Sequence, residues 1–272
     1  MPTLYVVATP IGNLEDISYR AIRTLREVKL IAAEDTRKTK RLLVTYDIKT
    51  PMTSYHEHNK LTKLDYILGC LEGGDVALVS EAGTPAMSDP GYELIVACTR
   101  QSIPVTPIPG PSAIITAITI SGLPTDRFTY IGFLPHKAGS RRHLLESIVD
   151  EHGTIIVLES PHRLRAAFND ILFVLGDRRI SVCRELTKIH EEVFRGTISR
   201  AIEYFVEPRG EFTLVIEGKK AKDKPQLTKE IEQQLHDMRL AGVTAKEAIT
   251  GMAEQTGLSK KGLYQAWLKE RS

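Results

Sequence analysis

The sequence predicts an α/β protein that ends in a small helical module. Short β-branched and apolar runs alternate with helical patterns through residues 1–218, an order typical of α/β domains with largely parallel sheets. After a charged segment, the hydrophobic period becomes purely helical. Loops of small residues directly follow three of the predicted strands, which indicates a ligand site at the carboxyl edge of a sheet.

Eight strands and five longer helices are predicted in the first part of the chain. The predicted strands cover residues 4–8, 30–33, 76–80, 105–108, 128–133, 154–158, 180–184 and 212–216. The predicted helices have an apolar period near 3.6 and cover residues 19–28, 60–71, 92–100, 141–151 and 164–175. The apolar stretch at residues 112–122 predicts one further buried helix.

Two boundaries divide the chain, which at 272 residues is long for one domain. Glycine and proline end the apolar helix near residues 121–124 and a new strand follows, so we expect α/β domains at residues 1–121 and 122–218. Residues 219–226 are charged and lack large apolar side chains, which predicts a linker.

The part that follows, residues 227–272, is predicted to be helical. Thr228 and Thr244 are suitable N-caps for two helices, and Ser259 is suitable for a third. Gly257 marks the turn before that third helix, a pattern typical of a helix-turn-helix but shared with many small helical bundles.

The net charge of +2 conceals a basic C-terminal part. Residues 219–272 contain 11 Lys and Arg against 7 Asp and Glu, a balance of +4, which leaves −2 for residues 1–218. Lys260 and Lys261 open the last helix. This asymmetry indicates contact with a polyanion, and an ordinary solvated surface is the alternative.

Composition excludes several classes of protein. The three cysteines are far apart and form no CxxC pair, which argues against a disulfide framework or a zinc site and indicates a reducing compartment. The N-terminus lacks the basic region of a signal peptide, and residues 112–122 are too few to span a membrane. We therefore expect a cytoplasmic protein with no membrane partner and no bound metal.

The signatures of common nucleotide-binding and hydrolytic enzymes are missing. The sequence contains no GxxxxGK[ST], no GxGxxG after the first strand and no GxSxG. His56 and His58 flank Glu57 without the HExxH spacing of a zinc protease.

Three strand-end loops instead share a small-residue composition: residues 9–12, 80–85 and 109–113. Small side chains let a ligand approach the backbone, and a helix that opens at Ser112 offers free N–H groups to it. Turn chemistry alone would explain one such loop, but three together favour a ligand site.

Motifs spread along the chain carry a resemblance to a known family. They occupy residues 9–16, 33–37, 54–59, 79–85, 88–91, 109–113, 132–135, 159–163, 184–188 and 210–213. By these motifs the chain resembles the ribosomal RNA small subunit methyltransferase I family, within the tetrapyrrole methylase superfamily. The family usually has Asp where this chain has Glu81, so a longer carboxylate must fit beside the expected cofactor.

The resemblance implies an activity and an assembly. It implies 2′-O-methylation of a cytidine ribose in the decoding region of small-subunit (16S) rRNA, with S-adenosylmethionine as the cofactor. It also implies a homodimer whose protomers bind the cofactor in a cleft between two domains. Free rRNA and the assembled 30S subunit both stay open as substrates.

Cofactor contacts are expected from the strand-end loops and, by the resemblance, from two segments of the second domain. The expected residues are Pro10, Gly12, Ser80, Glu81, Ala82, Gly83, Thr84, Pro85, Pro109, Gly110, Ser112, Ala113, Phe133, Leu134, Gly210, Glu211, Phe212 and Thr213.

A ribose hydroxyl is weakly acidic, so a nearby base or cation would help it to attack. Much of the rest of the catalysis can come from alignment of the hydroxyl with the methyl donor. The candidates are the ionisable residues of the motifs, namely Asp35, His56, His58, His162, Arg163, Glu185 and Lys188. A histidine in such a motif can equally orient a loop or bind a phosphate.

Contacts to RNA phosphates are expected from basic residues of the motifs and of the final helix. The RNA-binding candidates are Arg37, Lys38, Arg184, Lys260 and Lys261, and Arg163 is as suitable for this role as for catalysis. Surface salt bridges are the alternative role for Arg37, Lys38, Arg163 and Arg184.

Two other functions stay open. A small-molecule methyltransferase of the tetrapyrrole type would share the body fold, which by itself does not specify a substrate. A ligand-sensing helix-turn-helix regulator would use the body as a sensor and the tail to read DNA. The basic tail and the motif at residues 159–163 favour RNA over a tetrapyrrole.

Overall fold

The computed structural model describes residues 2–220 and 227–269. The chain forms two compact units, residues 1–218 and 219–272. The predicted linker at residues 219–226 lies largely outside the described residues. Within the described part, no helix is both long and apolar enough to cross a membrane.

The first unit begins with a parallel sheet in the order β3-β2-β4-β1-β5. Its strands are β1 (Leu4–Val7), β2 (Leu30–Ala33), β3 (Met52–Ser54), β4 (Val76–Val79) and β5 (Val105–Ile108). All neighbouring pairs are parallel, so every strand ends at the same edge. The four predicted strands are confirmed, whereas β3 has only three residues and too little pattern to be predicted.

Four helices cover the two faces of this sheet: α1 (Tyr19–Glu27), α2 (Thr36–Thr45), α3 (Lys60–Glu72) and α4 (Tyr92–Arg100). Leu25 of α1 and Leu42 of α2 pack in one buried cluster with Val79. Leu71 of α3 and Leu94 of α4 pack in a second cluster on the other face. Helix α2 was not predicted, because four of its ten residues are Lys or Arg and few are buried.

Helix α5 (Ala113–Ser121) connects the two halves of the unit. It begins directly after the first sheet, where the Ser112 hydroxyl accepts the N–H of Ile115 over 3.5 Å. Its apolar side chains pack against the second sheet, Ile118 in one buried cluster with Ile156 and Val215. The helix predicted from the apolar stretch is therefore confirmed.

The second sheet has the order β6-β7-β10-β8-β9. Its strands are β6 (Phe128–Phe133), β7 (Thr154–Glu159), β8 (Arg179–Arg184), β9 (Glu192–Thr197) and β10 (Phe212–Ile216). Only β6 and β7 pair in parallel, and the other three pairs are antiparallel. The expectation of largely parallel sheets is wrong here, because β8 and β9 are joined by a short connection and not by a crossover helix.

Three helices pack on the face of this sheet opposite α5: α6 (Ala138–Ser147), α7 (Pro161–Leu175) and α8 (Ile198–Tyr204). Phe168 and Leu145 are fully buried in the cluster that they form with the sheet. Helix α6 begins three residues before the predicted start at Arg141, whose guanidinium bonds the buried carboxylate of Asp170.

The second unit contains helices α9 (Lys229–Leu240), α10 (Ala245–Thr256) and α11 (Lys260–Lys269). Thr228 and Thr244 cap the first two as predicted, and Gly257 ends α10 in the left-handed conformation. Leu235, Met252 and Trp267 belong to one buried cluster. The three-helix prediction is confirmed.

Candidate active site between the two sheets

The carboxyl edge of the parallel sheet is held in shape by a pair of backbone hydrogen bonds. Thr9 N–H donates to Gly83 O over 2.8 Å, and Gly83 N–H donates to Thr9 O over 3.0 Å. Gly83 has φ +75°, and a Cβ there would lie 3.3 Å from Ile11 Cγ2. Glycine is needed because this conformation is rare for L side chains and the space is narrow.

A cavity of about 380 Å³, here called the first cavity, lies between this edge and the second sheet. The parallel sheet contributes Ile11, Glu34, Glu81, Ala82, Gly83, Thr84, Met87, Asp89 and, with the start of α5, Ser112, Ala113 and Ile114. The second half of the unit contributes Tyr130, Phe133, Leu158, Glu159, Ser160, Pro161, Cys183, Leu186, Glu211, Phe212 and Thr213.

Three carboxylates of the first cavity have raised pKa values. Burial, and next the negative charge of Glu34, raise the pKa of Asp89 to about 7. Burial also raises the pKa of Glu34, although its Oε2 accepts the N–H of Glu81 over 2.9 Å. Burial raises the pKa of Glu159 despite the N–H of Ser160. A cation bound in this cavity would therefore stabilise the ionised form of these carboxylates, and the carboxylates would attract it in return.

A second cavity of about 520 Å³ adjoins the first and shares Ile11, Glu81, Ala82 and Glu211 with it. Its other lining residues are Thr9, Pro10, Gly12, Leu14, Lys38, Thr39, Arg41, Leu42, Ser80 and Lys188. Lys38 Nζ bonds the carboxylate of Glu81 at the boundary between the two cavities. The side chains that reach this space include three cations, whereas the first cavity is lined by carboxylates.

A tight loop presents Lys188 to the second cavity. Glu185 and Thr187 have positive φ values of +49° and +65°, unusual for residues with a Cβ and often found where function maintains strain. Lys188 Nζ lies 3.0 Å from Glu185 Oε1 and 2.9 Å from Glu211 Oε2. Burial lowers the pKa of Lys188, but these two carboxylates outweigh it and the net pKa is raised, so Lys188 is a fixed cation at neutral pH.

Two glycines let this loop approach its neighbours. A Cβ on Gly12 would lie 2.5 Å from Lys188 Cγ, and a Cβ on Gly210 would lie 2.5 Å from Glu185 Cγ. Thr187 Oγ1 accepts the N–H of Asn13 over 3.0 Å. The loop after β1 and the loop after β8 are thereby held together around the second cavity.

Comparison with known proteins gives the family. Residues 3–202 match the family of tetrapyrrole (corrin/porphyrin) methylases. The chain is 48% identical to ribosomal RNA small subunit methyltransferase I of Halalkalibacterium halodurans, over 98% of this chain and 95% of that protein. It is also 48% identical to the protein of the same name in Synechocystis, over 99% and 98%. The chain belongs to the ribosomal RNA small subunit methyltransferase I family.

A shorter relative has the same name. The chain is 50% identical to ribosomal RNA small subunit methyltransferase I of Thermotoga maritima, which is matched along 100% of its length by 80% of this chain. The first unit accounts for the same share, 218 of 272 residues. A protein with this name therefore exists at about the length of the first unit.

Solved structures confirm the fold. Uroporphyrin-III-C-methyltransferase of Thermus thermophilus superposes with a TM-score of 0.57 at 18% identity, over 80% of this chain and 94% of that one. A putative diphthine synthase of Entamoeba histolytica gives 0.59 at 16% identity, over 82% and 95%. At these identities the likeness concerns the fold alone. The expected cofactor is confirmed, since this methyltransferase family depends on S-adenosylmethionine.

The structure collects more than half of the expected cofactor residues in one place. The first cavity is lined by Glu81, Ala82, Gly83, Thr84, Ser112, Ala113, Phe133, Glu211, Phe212 and Thr213. Pro10, Gly12 and Ser80 line the second cavity. Five expected cofactor residues are absent from the described lining of both cavities: Pro85, Pro109, Gly110, Leu134 and Gly210.

The catalytic candidates are divided among different places. Lys188 lines the second cavity, and Glu185 bonds it. Arg163 lies behind the first cavity, where it bonds the carboxylate of Glu159 and the carbonyl of Leu134.

The other catalytic candidates do not line either cavity in the described part of the chain. Asp35 is the N-cap of α2: its Oδ1 accepts the N–H groups of Arg37 and Lys38. Burial raises the pKa of Asp35, but these hydrogen bonds outweigh it and the net pKa is lowered. His162 is exposed in the first turn of α7. The rings of His56 and His58 make an edge-to-face contact, with their centroids 6.0 Å apart.

The RNA-binding candidates are also separated. Lys38 lines the second cavity, while Arg37 is exposed and lies 3.6 Å from Asp35. Arg184 is engaged with the Glu192 carboxylate over 2.6 Å and with a backbone carbonyl. Lys260 and Lys261 belong to the second unit, where both are exposed at the start of α11.

Sequence reasoning missed three polar residues of the first cavity. Asp89 and Glu34 belong to the quoted motifs, but nothing in their spacing placed them opposite one another. Tyr130 lies in β6, and its hydroxyl lies 2.6 Å from Ser88 Oγ. The alternation of a strand would have directed Tyr130 to one face, but not to this cavity.

Proposed function

We propose that this chain transfers a methyl group from S-adenosylmethionine to the 2′ oxygen of a cytidine ribose in the decoding region of small-subunit rRNA, in the cytoplasm. The observation that carries the proposal is the carboxylate-lined cavity between the two sheets, in a chain 48% identical to two curated relatives named as rRNA methyltransferases. The nucleotide, its position and the atom methylated rest on the family resemblance.

The first cavity suits the cofactor. Asp89, Glu34 and Glu159 supply negative charge for a sulfonium and an ammonium group. The free N–H groups at the start of α5, after Ser112, suit a carboxylate. Ile114, Leu158 and Phe212 supply apolar surface for a ring system.

Held by Asp89, Glu34 and Glu159, the cofactor would supply an activated methyl group with a neutral sulfur as the leaving group, and the hydroxyl proton would pass to solvent. The protein contributes mainly alignment and charge. Lys188 is the candidate whose position and ionisation suit stabilisation of a developing oxyanion. Glu185 and Glu211 would position it, and Arg163 would position Glu159.

The proposed assembly is a homodimer of this chain, since closed twofold assemblies are the commonest oligomers. Light scattering at micromolar concentration should give about twice the protomer mass of 30.3 kDa. A mass near that of a single protomer at every concentration would contradict the proposal.

The test of function combines a deletion strain with the purified enzyme. Mass mapping of small-subunit rRNA from the strain should show the loss of one ribose methyl on a cytidine. Full-length enzyme with S-adenosylmethionine should restore it, on free rRNA or on 30S subunits assayed separately. An unchanged rRNA mass map, or transfer to a tetrapyrrole but to neither RNA substrate, would overturn the proposal.

A further inference from the structure

The second cavity is a separate space with its own chemistry. It lies beside the first cavity and meets it at Ile11, Glu81, Ala82 and Glu211. Its volume of about 520 Å³ is within the range of sites that enclose one small molecule, about 300–1,000 Å³. Such a space accommodates a single nucleotide but not a base-paired helix.

Helix α2 supplies cations to the mouth of this cavity. Lys38 and Arg41 both line it, and they are three residues apart, so they share one face of the helix. Lys40 lies between them in sequence and is exposed, but it is absent from the described lining of the cavity. Cations on one helical face beside a cavity suit the phosphates that flank a nucleotide.

A buried hydroxyl just after β1, that of Thr9, indicates that the second cavity receives a polar ligand. Thr9 lines the second cavity and is only 4% exposed. Its Oγ1 is buried and has no hydrogen-bond partner among the described residues. Buried hydroxyls are usually satisfied, because an unmade hydrogen bond costs stability. The backbone of Thr9 is already fixed by Gly83, so the side chain is not required to hold the loop.

We infer that the second cavity receives the methyl acceptor as one unpaired nucleotide, which bonds the hydroxyl of Thr9 while Lys38 and Arg41 hold its flanking phosphates. This inference rests on the proposed function and specifies the state of the RNA. The target base must leave its stack to enter, as in other enzymes that act on a base or nucleotide inside a helix. The Lys38–Glu81 contact lies where this nucleotide would meet the cofactor cavity.

The first experiment tests the phosphate contacts. The double variant Lys38→Ala/Arg41→Ala is compared with wild type and with the matched control Lys40→Ala in filter binding of small-subunit rRNA across a salt series. Each phosphate contact to a single strand contributes about 0.7 to the slope of log K against log salt. The double variant should lose about 1.4 from the slope, while Lys40→Ala should keep the wild-type slope. Calorimetry should give both proteins wild-type affinity for S-adenosylmethionine.

The second experiment tests the hydroxyl with variants that preserve the loop. Thr9→Val keeps the β-branched shape and should fold with an unchanged or higher Tm, because no bond within the described structure is lost. It should lower kcat/KM for rRNA about tenfold. Thr9→Ser restores the hydroxyl and should restore most of the activity, a rescue that a purely structural role would not give.

The outcomes separate this inference from the proposed function. If wild type methylates rRNA but Thr9→Val and the double variant match it in kcat/KM and salt slope, the inference is overturned and the proposed function stands. A loss of cofactor affinity in these variants would assign the second cavity to the cofactor and also overturn it. If wild type binds the cofactor but methylates neither rRNA nor 30S subunits, both fall.

Discussion

Apart from Glu81 and Glu211, which line both, the two adjoining cavities differ in the sign of the charged side chains that line them. The first contains Glu34, Asp89 and Glu159, and the second contains Lys38, Arg41 and Lys188. A cationic methyl donor and a polyanionic acceptor would thus be sorted by charge before any specific contact forms. Loops that follow neighbouring strands can therefore line two adjoining sites of different charge, because each loop contributes different side chains.

The boundary between the cavities is formed by few residues. Glu81 and Glu211 line both spaces, and Lys38 and Lys188 bond these two carboxylates from the side of the second cavity. Charge is therefore compensated at the boundary, whereas burial and the negative charge of Glu34 raise the pKa of Asp89 in the first cavity.

The largest expected effect comes from closing the first cavity. Gly83→Val adds a branched side chain where a Cβ would already lie 3.3 Å from Ile11, and cofactor affinity should fall at least about 100-fold, equivalent to about 2.7 kcal/mol. Calorimetry with S-adenosylmethionine measures it.

Gly122→Val is the matched control for backbone strain. Gly122 has nearly the same φ, +74°, but a Cβ there has no described atom within 4 Å. Its Tm should fall by a similar amount while cofactor affinity is retained. Unchanged cofactor affinity in folded Gly83→Val would remove the first cavity as the cofactor site and end the comparison.

The next effect concerns the second unit, which should add RNA affinity and leave cofactor affinity unchanged. A chain ending at Lys220 should bind rRNA about tenfold more weakly and with a flatter salt dependence, because polyanion affinity comes largely from counterion release. Its cofactor affinity should be unchanged, since the described residues that line the two cavities belong to the first unit.

That truncation can fail in two informative ways. Loss of cofactor binding in a folded truncated chain would show that the second unit completes the first cavity. An unchanged RNA affinity and salt slope would show that the +4 balance of residues 219–272 is only solvated charge.

A smaller effect is a pH dependence that arises in the first cavity. Ionised Asp89 should favour a cationic ligand, so wild-type affinity for S-adenosylmethionine should rise several-fold between pH 6 and 8, around its pKa of about 7. Asp89→Asn should flatten this part of the profile. An equal rise in both proteins would show that Asp89 does not face the cofactor.

The same group makes a prediction for stability, with the sign fixed by linkage. The pKa of Asp89 rises from an ordinary 3.8 to about 7 on folding, so between these values the folded state holds a proton that the unfolded state has released. Stability should therefore fall as pH rises through this window and level off above it. Asp89→Asn should gain Tm relative to wild type at pH 8 but not at pH 4, as measured by calorimetric scans.

The smallest expected effect lies at the boundary. Glu81→Gln keeps the length of the side chain but removes the charge that Lys38 bonds. Because both partners are substantially exposed, such a pair is worth about 0.2–1 kcal/mol. Release of Lys38 should lower the KM for rRNA about two- to fivefold.

Glu72→Gln, exposed at the end of α3, is the control for a general change in net charge. An equal shift in both variants would show that the Lys38–Glu81 contact has no part in RNA binding.

Much of the fold followed from local pattern. Helix α4 was predicted at its observed bounds, and the caps at Thr228 and Thr244 were predicted at the right residues. These elements have strong periodicity or capping chemistry, which act over a few residues. Helix α2 was missed because seven of its ten residues are polar. Strand β9 was missed because only Val193 and Phe194 among its six residues are large and apolar, and none of the six is fully buried.

Local patterns in the sequence were enough to predict the family, the small-residue loops of the expected cofactor site and the helical nature of the second unit, because motifs, strand ends and caps are local features. Which loops face one another depends on the tertiary structure. It separated Asp35 and His162 from the cavities, brought Asp89 opposite Glu34, and left Thr9 Oγ1 buried without a partner among the described residues. The charge of a cavity is a sum over residues distant in the chain, so no local pattern contains it.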